Sequence, residues 1–127
     1  MTFFEKELRK ILDPLKCGAV YVGGKSAYIP LGDVKVRVDM ETFGYADHYE
    51  GLLLRSINAK TGELDRCGVK FANVWGKRAV SNPNFSSGIV PHAWGDRGVV
   101  SWYVYTPTES DYKILREEVR KYIDIYR

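Results

Sequence analysis

The sequence predicts an α+β fold: an antiparallel sheet of about five or six strands with an N-terminal and a C-terminal helix packed on it. Three observations carry this prediction. Thr2-Phe3-Phe4-Glu5 is a capping-box pattern that opens a run of apolar residues at helical spacing. Val34, Val36, Val38 and Met40 alternate with Lys35, Arg37, Asp39 and Glu41, the period of two of a half-buried strand. Residues 108–127 return to helical spacing after a strand-like aromatic run.

Taken in order, Phe4, Leu8, Ile11, Leu12 and Leu15 place one apolar face on a first helix over 3–12. Asp13-Pro14 ends it, because proline pushes the preceding residue out of the α region. Residues 19–23 and 27–31 are short strand-like runs around Gly23-Gly24-Lys25-Ser26, and the Gly-Gly pair suits a hairpin turn. Pro30 confines the second run to an edge or a strand end. A phosphate loop would need a glycine at position 19, where Ala19 stands, and a helix in place of the strand-like run that follows. Residues 34–41 and 51–57 are then predicted strands, and 58–63 is turn chemistry. Residues 64–72 are expected to return as a partner strand, with Val69 and Phe71 on one face and Arg66 and Lys70 on the other, so that 34–72 forms a three-stranded meander. Val99 to Tyr105 is aromatic and β-branched throughout. Thr106-Pro107 breaks it, Thr108 caps the last helix, and Tyr112, Leu115, Val119, Tyr122 and Tyr126 form its apolar stripe.

All 127 residues are read as a single domain, long enough to bury about two-thirds of the unfolded surface. A content of 45% hydrophobic and 28% charged residues is that of an ordinary globular chain. No window approaches the run of about 18 uncharged apolar residues that spans a bilayer. Glu5-Lys6-Glu7 stands where a signal peptide would need its apolar core. The expectation is a cytoplasmic protein without membrane contact. Cys17 and Cys67 have neither redox nor zinc spacing and are expected as free thiols, small buried apolar residues in character.

The net charge of +3 is below that of a dedicated nucleic-acid binder, but its distribution is uneven. From Arg55 to Arg78 there are six basic residues (Arg55, Lys60, Arg66, Lys70, Lys77 and Arg78) against Glu63 and Asp65. Residues 108–127 balance five against five. An electropositive face is therefore expected on the middle strands and at the start of the stretch from Trp75 to Gly98.

That stretch, 75–98, reads as a long loop of turn formers studded with aromatics. Loops of this length in compact domains usually carry function. Trp75, Phe85, Ile89, Val90 and Trp94 suit a lid packed on the sheet edge. Alternatively, Phe85 or Trp94 stays exposed as a binding anchor, with Lys77, Arg78, His92, Asp96 and Arg97 as its polar rim. The binding candidates are thus Lys77, Arg78, Phe85, His92, Trp94 and Arg97, joined by Arg66 and Lys70.

Catalytic constellations fare less well. Asp47-His48-Tyr49-Glu50 holds the right types for a general base or a metal ligand, but adjacent residues of an extended chain point to opposite faces. A metal would need His92 to join His48, and the expectation is no metal and no cofactor. No serine or cysteine stands in a nucleophile motif, so the chain is read as a non-enzyme.

Ala46-Asp47-His48-Tyr49-Glu50, Val80-Ser81-Asn82-Pro83-Asn84-Phe85, Gly88-Ile89-Val90-Pro91-His92 and Trp102-Tyr103-Val104-Tyr105-Thr106-Pro107-Thr108, with the opening Phe3-Phe4-Glu5-Lys6-Glu7-Leu8-Arg9-Lys10, carry a resemblance over nearly the whole length. The chain resembles a family of small accessory proteins carried on conjugative elements and phages of Gram-positive gut bacteria. The resemblance implies context and transfers no catalytic residue. Such proteins block host defence, bind nucleic acid during transfer, or regulate the element. The resulting expectation is a non-enzymatic binding protein, foremost an anti-CRISPR-like inhibitor that occludes a host defence protein or its nucleic-acid complex. A single-strand nucleic-acid-binding accessory protein using Arg55, Arg66 and Lys70, and a small hydrolase or nuclease, are the alternatives.

Overall fold

Thr2 begins the fold by making two bonds with one hydroxyl. Its Oγ accepts the Glu5 amide at 3.1 Å, capping helix α1 (Phe3–Leu12), and donates to the Gly24 carbonyl in the first hairpin turn. A Cβ on Gly24 would sit 2.8 Å from the Thr2 methyl, and φ there is +82°, so glycine is required on both counts. The computed structural model describes residues 2–43, 49–68, 70, 89–94, 99–105 and 109–127.

The α-helix ends at Leu12, as expected, but Asp13 stays in the α region (φ −58°, ψ −43°) and the chain runs on as a 3-10 turn (Asp13–Leu15) that stops at Lys16, φ +50°. The strands are β1 (Val20–Val22), β2 (Ser26–Leu31), β3 (Val34–Phe43), β4 (Tyr49–Asn58), β5 (Ile89–Trp94) and β6 (Val99–Tyr105), followed by helix α2 (Glu109–Asp124). They form one sheet in the order β1-β2-β3-β4-β6-β5, antiparallel throughout. The α+β class, the antiparallel sheet and the helices at each end agree with the sequence. No helix among the described residues is long and apolar enough to cross a membrane.

Both helices cover the same face of the sheet. Ala27 and Ile29, then Val36, Val38 and Met40, then Leu52 and Leu54, then Val100 lie in register on that face and are buried. Leu8, Ile11 and Leu12 of α1 and Tyr112, Leu115, Val119, Tyr122 and Ile123 of α2 complete one core. At about 1.5–3 kcal/mol for each fully buried Leu, Ile or Val, this is the dominant stabilising contribution of the molecule. Buried charge is held where the helices meet: Tyr112 donates to the Glu7 carboxylate, and Lys10 Nζ reaches it at 3.1 Å.

Two parts of the sheet differ from expectation. The described part of 64–72, residues 64–68 and Lys70, is not the third strand of a meander. Leu64 makes one isolated bridge to Ile57, and residues 66–68 and Lys70 are helical. Asp65 causes the switch, because its Oδ2 accepts the amides of Cys67 and Gly68 at 3.1 and 3.4 Å, the bonding pattern of a helix cap. The neighbour of β4 is instead β6. Conversely, β5 lies inside the stretch read as a long loop. Its turn formers gave that reading, yet β5 is the last strand in the order, an edge where Pro91 is tolerated.

A hydroxyl chain locks α2 onto the sheet. Tyr122 and Ser56 hydroxyls lie 2.8 Å apart, Ser56 Oγ and Tyr126 OH 2.6 Å apart, and the Tyr126 hydroxyl donates to Asp65 Oδ2 at 2.7 Å. Burial pushes the Tyr122 phenol up to about 12, partly offset by its bonds to Ser56. Gly68 closes the arrangement from the other side, since a Cβ there would stand 1.8 Å from Ser56 Oγ. Cys17 is buried as expected, and burial raises its thiol pKa; Cys67 departs from expectation in being exposed, and both are free.

Candidate functional site

The alternation that buries one set of strand residues places the other set on the opposite face, called the open face because neither helix lies on it, where Tyr28, Lys35, Arg37, Asp39, Leu53 and Arg55 are half-buried. Directly paired residues of an antiparallel sheet share a face, so the register defines this surface. One row runs Val22, Ser26, Asp39, Leu53, Ser101, His92 across all the strands. The adjacent row runs Val20, Tyr28, Arg37, Arg55. Trp94 and Val90 on β5, with Val99, Tyr103 and Tyr105 on β6, hold further register positions on the same face.

Its best-defined region lies over β2, β3 and β4. The Tyr28 ring has the Lys35 ammonium 5.2 Å and the Arg37 guanidinium 6.0 Å from its centroid, at the limit of cation–π attraction. Arg37 Nε donates to both Asp39 carboxylate oxygens at 2.9 and 3.1 Å, and Ser26 Oγ donates to Asp39 Oδ1 at 2.6 Å. This pair is partly open to solvent, with Arg37 35% and Asp39 15% exposed. Arg37 and Arg55 stand directly opposite each other, although like charges in that relation destabilise a sheet. The Arg55 Nε is buried without a hydrogen-bond partner among the described residues. At the β1 edge Val20 and Val22 remain 55% and 47% exposed.

The structure divides the sequence-derived candidates. His92 and Trp94 occupy register positions on the open face, beside Ser101 and Val99. Arg66 and Lys70 are exposed but lie on the helical segment, not on a strand. Gly68, between them, packs against Ser56 and Tyr122 on the helix-covered side, so these two cations do not join Arg55. Lys77, Arg78, Phe85 and Arg97, with His48, Trp75 and Asp96, lie outside the described residues, as does the Thr108 cap. Among the described residues no group of three His, Cys, Asp or Glu is placed to hold a metal ion.

Tyr28, Lys35 and Arg37 were not among the sequence candidates. The signal for two of them was present in the charged positions of the β3 alternation. What the sequence did not show is the register that sets Arg55 of β4 and Tyr28 of β2 on either side of Arg37. No family model, curated protein or solved structure matches the chain.

Proposed function

We propose that the protein is a non-enzymatic binding protein of a mobile genetic element that inhibits a host defence nuclease, in the manner of an anti-CRISPR protein, by occluding the nuclease or its nucleic-acid complex. The observation that carries the binding reading is the open sheet face. It combines Tyr28 with Lys35, Arg37 and Arg55, and the exposed Val20 and Val22 border it. Aromatic and arginine side chains dominate the energetics of recognition surfaces. The Arg37–Arg55 opposition costs stability in the free protein and gains when an anionic partner arrives. The resemblance to accessory proteins of mobile elements supports the choice of partner.

Six strands separated by about 4.8 Å make the face about 24 Å wide, and steric inhibition needs about 800 Å² on each partner. The test is a plasmid-interference assay in hosts carrying resident defence systems. Expression of the protein restores plasmid establishment, and Arg55→Glu on the open face abolishes that protection while the purified variant stays folded. Failure to protect against any resident system would overturn the reading.

A further inference from the structure

We infer that two copies of the chain associate edge to edge through β1. The two strands run antiparallel about a two-fold axis at Tyr21, so that Val20 of each copy lies opposite Val22 of the other. Such a dimer stands whether or not a defence system is inhibited.

β1 is the first strand in the sheet order and pairs with β2 alone among the described strands. An edge strand presents a row of amide and carbonyl groups on its outer side, and natural sheets guard such edges with charge, proline or a bulge. β1 has none of the three. Residues 17–24 contain neither a charged residue nor a proline, and the ladder to β2 runs from Val20 to Val22 without an extra residue. Access is shown by the strand's own side chains, since Val20 and Val22 are 55% and 47% exposed. Apolar area also collects there. Of the four large apolar side chains exposed among the described residues, Phe3, Val20 and Val22 lie at this edge or at the turn that ends it, where Thr2 bonds the Gly24 carbonyl.

The occupant is a second copy because Val20-Tyr21-Val22 is self-complementary. A two-fold contact sets one surface against itself, and the strand reads the same in both directions. Antiparallel pairing about Tyr21 then makes two valine pairs on the face away from the helices. Gly18 and Gly23, both at positive φ, bracket the strand and end the ladder on either side. Charge does not oppose the contact, although each copy carries +3. Lys16 and Lys25 lie outside the strand, and this register sets neither opposite the other. On the helix side Tyr21 donates to Asp13 and lies under Arg9, an ion pair of zero net charge. The length of three residues limits the strength of the contact.

Sedimentation velocity of the full chain from about 5 to about 500 µM covers the affinities that an interface below about 800 Å² per copy supports. Over that range the weight-average mass rises from 14.5 kDa towards twice that value. Val20→Lys and Val22→Glu each weaken association about tenfold, because the two-fold axis repeats every lost valine pair. Mixing these two variants restores it, since the register sets the introduced charges opposite each other. Leu64→Lys, at the exposed apolar side chain away from this edge, leaves association unchanged, and unfolding midpoints confirm that each variant is folded. A chain that stays monomeric throughout, association indifferent to both valine substitutions, or a mixture no stronger than either variant alone would overturn the inference. A monomer whose valines instead bind an extended peptide would give the edge to another protein and overturn it equally.

Discussion

The two faces of the sheet use the same strands and nearly the same backbone to opposite ends. On one, Val36, Val38, Leu52, Leu54 and Val100 are fully buried beneath α1 and α2. On the other, one residue along each strand, Arg37, Asp39, Leu53 and Arg55 are only half-buried, and two arginines oppose each other. The first face is organised for burial of apolar area, and the described polar side chains buried beside it, Ser56 and Tyr122, are bonded to each other. The second keeps a buried donor without a partner and a like-charge pair. Stability lies on the covered face. The open face gives up some of it.

Substitutions one residue apart should expose this contrast most strongly. Leu54→Ala removes a fully buried side chain and should cost about 3 kcal/mol in chemical denaturation, whereas Leu53→Ala should cost less than about 1 kcal/mol. Similar losses at both positions would mean that the open face is packed as well. Next in size is Gly68→Ala, where the added methyl meets Ser56 Oγ and should cost about 2 kcal/mol. Combining it with Ser56→Gly should recover part of that loss, and strict additivity in a double-mutant cycle would refute the contact.

Tyr122→Phe should cost about 1 kcal/mol at neutral pH through the lost hydrogen bond to Ser56. It also has a pH signature. The folded state holds the Tyr122 proton up to about 12, while an unfolded tyrosine releases it near 10. Between these values the native state binds more protons, so stability falls as pH rises from about 10 towards 12 and is unaffected by this group below 10. Denaturation curves between these pH values should be flatter for Tyr122→Phe than for the native chain. The smallest expected effect has the opposite sign. Arg55→Thr relieves the opposition to Arg37 and should raise stability by about 0.5 kcal/mol, read as a higher unfolding midpoint.

Most of the covered face was legible because periodicity and burial coincide there. The alternation of 34–40 names the buried residues of β3, and the stripe from Tyr112 to Tyr126 names the face of α2. The error at 64–72 arose because Leu64, Val69 and Phe71 read equally well as a strand. One carboxylate decided the outcome, since Asp65 satisfies two amides locally where a strand would need a distant partner. The error at 89–94 arose because turn formers crowd the stretch 75–98, whereas an edge strand tolerates the proline among them. The open face was half legible. Its charges appear in the sequence as the wet side of β3, but register between strands is a long-range property, and the juxtaposition of Tyr28, Arg37 and Arg55 depends on it.

The strand order has a consequence for how this surface comes into being. Strands β1 to β4 are joined in sequence to their sheet neighbours, and β5 pairs with β6 across a short connection. The one ladder that joins the two groups, β4 with β6, closes about 40 residues of chain, at an entropic cost of about 3 kcal/mol beyond the constant term. Local hairpins form early and long closures late. Tyr28, Lys35, Arg37 and Arg55 all belong to the early group, whereas the register positions of His92, Trp94, Tyr103 and Tyr105 arrive with the late one. The sheet is therefore completed in two instalments, the β1–β4 meander before its junction with the β5–β6 pair.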